Sequence, residues 1–318
     1  MTTSLDYFFQ SYLLSLTFWL GIPLGSLLIL MMHTLTGGKW GEKIRPLLTQ
    51  SSRGILSVGV LFIPLCLWGL PHLYTWSSGT SSVPGYGKHA YLSPSFFTLR
   101  TFIYFMTWYL VRRYFFKSIF KQRAASIGLI VMFLTVSFAA IDWIMSLESS
   151  WYSTVFGLLI ITGMGVSALS FIILKAAILK KSDIAAQDLG NLLLAFIMVW
   201  AYLSFTQYLI MWMGNMPDET NWFMSRLHNG WGSLAASLIL FQFFIPFFIL
   251  LFRSVKRSLP VLGGVAALIL FMHFVELYWI ILPAVRHRFE FHIFDLISFV
   301  GVGCVWFYLR KPVVGNVL

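Results

Sequence analysis

Charged residues and cysteines are both scarce in this sequence. Only 10% of the residues are Asp, Glu, Lys or Arg, whereas 58% are hydrophobic, and the mean hydropathy is +0.82. Soluble globular domains carry about 25% charged residues, so this composition excludes an ordinary soluble protein. No hydrophilic stretch is long enough to fold separately, and we therefore expect residues 1–318 to form a single integral-membrane domain.

The two cysteines, Cys66 and Cys304, each lie alone within an apolar stretch. Because there is no CxxC, CxxCH or cysteine cluster, the chain lacks the usual ligands of iron–sulfur clusters, c-type haems and zinc–cysteine sites. A b-type haem in the membrane would need two histidines at matching depth, and His273 has no deep partner in the sequence. We therefore expect this chain to bind no metal and to contain no redox centre of its own.

Nine long apolar stretches fill most of the chain. Each approaches or exceeds the roughly 20 residues that a helix needs to cross a hydrocarbon core. They predict an all-α fold, a polytopic transmembrane bundle of about nine helices. The predicted spans, numbered one to nine in this order, are residues 12–33, 51–71, 96–116, 124–147, 154–180, 188–213, 229–252, 258–282 and 291–309.

Lysine and arginine concentrate in alternate gaps between these spans. The gaps after spans one, three, five and seven, together with the C-terminal tail, hold 17 of the 22 basic residues. The opposite side keeps only Lys88, Arg100, Arg226, Arg286 and Arg288. The positive-inside rule therefore predicts that the N-terminus lies outside and the C-terminus in the cytoplasm. The net charge of +11 then reflects topology and anionic lipid headgroups, not nucleic acid.

Ionisable side chains are costly inside a membrane, and here they gather in the predicted outer half. His273 and Glu276 of span eight are three residues apart, so they share one helical face. Asp142 of span four would join them if spans four and eight were neighbours, with Arg100 as its counter-ion. Gln207 lies in the outer half of span six. Three interpretations stay open: proton relay or quinone contact, a structural ion-pair cluster that holds helices together, and snorkelling of the side chains to the membrane interface.

Several sequence blocks resemble one known family. These blocks are PHLYTW (71–76), LRTFIYFMTWYLVRR (99–113), IDWIMSLESSWYSTVFG (141–157), DLGNLLLAFIMVWAYLSFTQYLIMWMGNMPDET (188–220) and FMHFVELYWIILP (271–283). They cover about two-thirds of the chain, and the block at 188–220 is the most specific. In these blocks the chain is similar to the NrfD-like membrane subunits of alternative complex III, a bacterial quinol:electron-acceptor oxidoreductase.

This resemblance implies a multi-pass subunit of a respiratory complex in the bacterial inner (cytoplasmic) membrane. Its partners would be a second NrfD-like subunit, an iron–sulfur subunit and c-type haem subunits, which carry the redox centres. The family is associated with quinol or quinone near the outer face and with proton routes. By matching position, Asp142, Gln207, His273 and Glu276 fall in blocks shared with the family. Asp142, His273 and Glu276 are candidate proton-relay residues. Arg100 and Gln207 are candidate counter-ion or quinone-proximal residues, Arg100 because a buried carboxylate needs a partner.

Two other functions remain open at this stage. A stand-alone proton-coupled transporter should show internal repeats and a polar site at the membrane midplane. No repeat is visible by eye, and the inner halves of the spans are nearly free of carboxylates, which disfavours that function. The remaining alternative is a structural membrane anchor that holds partner subunits and does no chemistry.

Overall fold

A computed structural model of the protein describes residues 3–78, 91–181 and 184–309, apart from the side chains of Pro217 and Asp218. These residues are 86% helical and include no strand. The middle of the predicted outer loop at 72–95 lies outside the described residues, as do Lys88, Arg310 and Lys311.

The helices follow one another along the chain with short connections. The principal helices are α1 (Ser4–Thr36), α2 (Lys39–Ser52), α3 (Ile55–Pro64, continued by Leu65–Gly69 and Leu70–Leu73), α4 (Pro94–Lys117), α5 (Lys121–Trp143), α6 (Phe156–Ile178), α7 (Ala186–Gly214), α8 (Pro217–Leu227), α9 (Trp231–Ser237, continued by Leu238–Phe244 and Ile245–Leu251), α10 (Leu259–Ile281) and α11 (Ile293–Leu309). A five-residue helix, Arg253–Arg257, joins α9 to α10.

A helix occupies each of the nine predicted spans. Within the described residues, seven helical stretches are long and apolar enough to cross a membrane, namely Ser4–Thr36, Lys39–Leu73, Lys121–Leu147, Phe156–Ile178, Ala186–Gly214, Trp231–Leu251 and Leu259–Ala284. The other two spans correspond to α4, whose 24 residues include three arginines, and to α11, which has 17 residues. The chain is thus an apolar, all-helical, multi-pass membrane protein. The side on which each terminus lies stays a prediction of the charge pattern.

Two of the principal helices were missed between the predicted spans. One is α8, in the gap at 214–228. The other is α2. The predicted gap at 34–50 largely forms α2, which packs against α1 and runs almost directly into α3. Ile44, Leu47 and Leu48 recur every three or four residues and are buried, whereas most of the charged residues face outward. This spacing is typical of an amphipathic helix.

The centre of the bundle is α1, whose most apolar window is completely buried. It packs against α6, α11, α2 and α5. Its closest approach is to α6 at Gly25, where a Cβ atom would lie 2.0 Å from the backbone oxygen of Met164. The sequence predicts close helix contact for the small residues at 163–170, and this approach confirms it.

Two helices lie between α5 and α10. Both α1 and α6 pack against α5, and both also pack against α10, with α6 forming the larger contact. Spans four and eight are therefore not the neighbours that a shared polar cluster would require. This arrangement determines how the buried polar residues are grouped.

Two of the long helices contain a π-helical segment beside a proline. Leu65–Gly69 follows Pro64 in α3, and Leu238–Phe244 precedes Pro246 in α9. Proline lacks the N–H that an α-helix uses at that position, and such wide turns readjust the backbone around it. In α9 the wide turn carries Gln242, which is the only polar side chain in that segment.

Candidate functional site: buried polar clusters at one end of the bundle

Apart from His33, which is buried near the other end of α1, the buried Asp, Glu, His and Arg side chains lie toward one end of the bundle. At this end α1, α4, α6 and α11 begin and α5, α7 and α10 finish. We call this the outer end, following the prediction from the charge pattern. These side chains form separate clusters within the described residues. Two of the clusters contain the candidate residues other than Gln207.

The first cluster is an ion pair between α4 and α5. The Nε atom of Arg100 donates to Oδ2 of Asp142 at 2.7 Å, and Nη2 donates to Oδ1 at 3.1 Å. The Tyr104 hydroxyl donates to Oδ2 at 2.6 Å, and the Asp142 side chain is 1% exposed. The structure thus confirms Arg100 as the counter-ion of Asp142.

Arg100 is also held from the loop that precedes α4. Its Nη1 atom donates to the backbone oxygen of Tyr91 at 2.8 Å. Its guanidinium carbon lies 3.8 Å from the centroid of the Tyr91 ring and 4.4 Å from that of Phe96. Burial, reinforced by the nearby Asp142 carboxylate, raises the pKa of Tyr91 to about 12, so this ring stays neutral above the cation. Such bidentate and stacked contacts are typical of a structural arginine.

The second cluster surrounds Glu276 of α10. The Nδ1 atom of His273 lies 2.9 Å from Oε2 of Glu276, as expected for residues three apart on one helix. Gln242 donates to the same oxygen at 2.9 Å, and the indole N–H of Trp200 donates to Oε1. Both His273 and Glu276 are buried. Among the described residues, no lysine or arginine forms an ion pair with Glu276.

The space for the imidazole comes from α6. A Cβ atom built on Gly163 would lie 2.7 Å from Cε1 of His273. On the other side, the ring of Phe18 in α1 lies 6.1 Å from the imidazole, measured between centroids. Gly163 therefore lets a histidine fit where α6 and α10 are close together.

The prediction of one connected cluster is wrong. A void of only about 10 Å³ lies beside α5, the helix of Asp142, on the side that faces the bundle centre. Apolar side chains of α1, α5 and α6 line this void, including Leu20, Val136 and Ile160. No hydrogen bond described in the structure links Asp142 to His273 or Glu276. The sequence gives the depth and face of each residue, but it does not give the order of helices around α1.

A third cluster, which the sequence did not reveal, joins α11 to α1. Arg286 donates to both carboxylate oxygens of Asp295, at 2.8 and 3.0 Å. Ser11 of α1 and Tyr278 of α10 donate to the same carboxylate. The charge pattern places Arg286 only among the basic residues of the predicted outer side. Its distance from Ser11 in sequence, 275 residues, explains why no local pattern indicated the contact.

In a fourth cluster, Arg226 of α8 lies against the C-terminal end of α10. Arg226 is 1% exposed, pairs with Glu148 at 2.9 Å and donates to the backbone oxygen of Ile280 at 2.7 Å. Its guanidinium carbon lies 3.7 Å from the centroid of the Trp222 ring. Burial lowers the pKa of Arg226 to about 10, so it remains a cation at neutral pH. The charge pattern likewise places Arg226 only among the basic residues of the predicted outer side.

Gln207 of α7 belongs to none of these clusters. Its side chain is buried, and its Oε1 atom has no hydrogen-bond partner. One turn further along α7 lies a cavity of about 580 Å³ between the end of α7 and α8, lined by Tyr208, Met211, Trp212, Asn215, Thr220, Phe223, Met224 and Leu227. The structure does not bring Gln207 into contact with Arg100. The described residues also include no group of three or more His, Cys, Asp or Glu side chains that could hold a metal ion.

Searches against protein-family models and against curated proteins find no match to this chain.

Proposed function

We propose that this chain is an integral-membrane subunit of a bacterial quinol-oxidising respiratory complex of the alternative complex III type. Its role is to organise the membrane part of that complex and to exchange protons at the His273–Glu276 pair on the outer side. Partner subunits would hold the iron–sulfur clusters and c-type haems, and quinol would be oxidised at or near the membrane part. The resemblance of five sequence blocks to the NrfD-like family supports the complex, and the geometry supports the proton role.

The observation that carries the proton role is the difference between the two buried carboxylates. Asp142 accepts two hydrogen bonds from the guanidinium of Arg100, so the two side chains form a bidentate ion pair. Glu276 instead contacts Trp200, Gln242 and His273, and none of these is a lysine or an arginine. Because an imidazole can both accept and donate a proton, this pair can exchange a proton without breaking an arginine ion pair.

We therefore propose different roles for the candidate residues. His273 and Glu276 are the proposed proton-exchanging pair. Asp142 and Arg100 are proposed to fix α4 against α5, which is the structural interpretation that the sequence left open. This assignment leaves Asp142 outside the proton relay.

Purification in mild detergent tests the first part of the proposal. A tagged chain should co-purify with proteins that carry c-type haem and iron–sulfur clusters. A lone colourless chain would favour a transporter instead and would contradict the proposal.

Substitution of Glu276 tests the second part. In the assembled complex, Glu276→Gln should lower quinol oxidation or proton release at least tenfold, because glutamine cannot give up a proton. Glu290→Gln, on the exposed segment before α11, is the matched control and should leave both unchanged. An assembled Glu276→Gln complex with full turnover and proton yield would remove the proton role and favour a purely structural anchor.

A further inference from the structure

Two buried glutamines, one beside the proposed proton-exchanging pair and one further along α7, share an unusual property. The Oε1 atoms of Gln207 and Gln242 are buried, and neither accepts a hydrogen bond within the described residues. Gln207 is only 3% exposed and Gln242 only 1%. A buried amide oxygen without a donor is costly, and ordered water is its usual partner where the protein supplies none.

Gln242 is already part of the Glu276 cluster. Its Nε2 atom donates to Oε2 of Glu276, so its free oxygen lies on the other side of the amide, within a few ångströms of the carboxylate. A water held by this oxygen would therefore be close to the group that exchanges the proton.

Gln207 lies on the same buried face of α7 as Trp200, which donates to the other oxygen of Glu276. Trp200, Leu203, Gln207 and Met211 follow one another at intervals of three or four residues, and all are buried. Seven residues of α-helix rise about 10 Å, so Gln207 lies about 10 Å from Trp200 along the axis, toward the outer end. Leu203 is the single apolar residue between them on this face.

The next residue on that face lines the cavity. Met211 forms part of the wall of the 580 Å³ space between α7 and α8, together with the polar side chains of Asn215 and Thr220. Trp212, Met224 and Leu227 at its rim are 68%, 49% and 47% exposed. The cavity thus connects the surface at the outer end to the residue one helical turn from Gln207.

We propose that this cavity is the aqueous access to Glu276, with Gln207 and Gln242 as the residues that hold the intervening water. The Glu276 carboxyl would give its proton to a water molecule beside Gln242. The resulting hydronium would pass the proton beyond Leu203 to water at Gln207, and from there it would reach the cavity. The remaining carboxylate stays hydrogen-bonded by Trp200 and Gln242. The inference deepens the proposed function and rests on its proton-exchanging pair, and it assigns the access to the outer side alone.

Cysteine labelling tests whether water reaches Gln207. In a background with Cys66→Ser and Cys304→Ser, the variants Gln207→Cys and Met211→Cys are exposed to a small charged thiol reagent from the outer side of oriented vesicles. Leu193→Cys, on the inner half of the same face and 0% exposed, is the buried control. Leu209→Cys, 39% exposed and two residues from both Gln207 and Met211, lies on the opposite side of α7 and is the lipid-facing control.

Both test variants should react at least tenfold faster than the two controls. A Gln207→Cys variant that reacts no faster than Leu193→Cys overturns the inference. So does faster labelling from the opposite side of the vesicle. Because the labelling uses the chain alone, it can fail while the complex still assembles and turns over, and the two failures are distinguishable.

Isotope exchange at Glu276 tests whether that water serves the carboxyl group. The infrared band of the protonated carboxyl, assigned by its loss in Glu276→Gln, is followed after transfer to heavy water. Gln207→Leu should slow the exchange at least tenfold, whereas Gln207→Asn, which keeps an amide oxygen, should restore most of the rate. An unchanged rate in Gln207→Leu, or a wild-type band that never exchanges, contradicts the proposed access.

Discussion

Substitution of the two buried carboxylates by their amides should affect stability very differently. In Asp142→Asn, the guanidinium of Arg100 loses its anionic partner while it remains buried. Removing one partner of a buried ion pair typically costs about 3–5 kcal/mol. In Glu276→Gln no charged partner is stranded, and the new amide N–H can donate to the unpaired Oε1 of Gln242 after that amide turns over. We expect a cost of at most about 1 kcal/mol there, close to one neutral hydrogen bond.

Equilibrium unfolding in mixed micelles of mild detergent and dodecyl sulfate measures this difference. Tryptophan fluorescence and helical circular dichroism should report the same transition if unfolding is two-state. Asp142→Asn should be less stable than Glu276→Gln by about 2–4 kcal/mol, and the double variant Arg100→Met/Asp142→Leu should recover most of the loss. Equal stability of the two single variants, or a double variant no more stable than Asp142→Asn, would refute the assignment of Arg100 and Asp142 as a structural pair.

Four further predictions follow from named contacts. A reporter fused after residue 318 should behave as cytoplasmic, given that 17 of 22 basic residues lie on that side, and a periplasmic signal would mean that the spans are miscounted. The purified chain should show no Soret absorption because its sequence lacks the usual haem ligands, and a haem band would contradict this prediction. Gly25→Ala should destabilise the protein by about 1–3 kcal/mol because its methyl group meets the Met164 backbone, whereas Gly264→Ala, with open space, should be neutral. Arg226 has a folded pKa of about 10, below its ordinary 12.5, so the unfolded state binds more protons between these values and stability rises with pH there. Relative to Arg226→Met, the wild type should gain about 1.4 kcal/mol by about pH 11, and a loss over that range would have the wrong sign.

The helices were predictable because length and hydropathy are local properties. The positions of all nine spans coincide with helices, although α4 and α11 are less apolar or shorter than the rest. The amphipathic α2 was missed because a search for long apolar runs ignores a helix with only one buried face. The His273–Glu276 contact was predictable for the same local reason, since three residues of helix fix its geometry.

The grouping of the clusters was not predictable from these patterns. The pairing of Arg100 with Asp142 followed from equal depth and opposite charge, but equal depth also suggested a false link to Glu276. What separates them is the position of α1 and α6, which depends on small residues such as Gly25 and Gly163 at specific contacts. The Arg286–Asp295–Ser11 cluster joins α1 to α11 and to the segment between α10 and α11, at opposite ends of the sequence, and a single sequence carries no signal for it.

The central position of α1 has a consequence for how the protein is made. It is synthesised before several of the helices that cover it, because α5, α6, α10 and α11 are supplied later by residues 121–309. Until then the side chains of Gln10 and Ser11 lack Arg286 and Asp295, their partners in the folded protein. The helices that surround α1 must therefore pack against a central helix that has already been synthesised. A nascent chain stopped before α10 should remain bound to insertion factors or be degraded, because α1, the most buried helix of the folded protein, is not yet covered by α10 and α11.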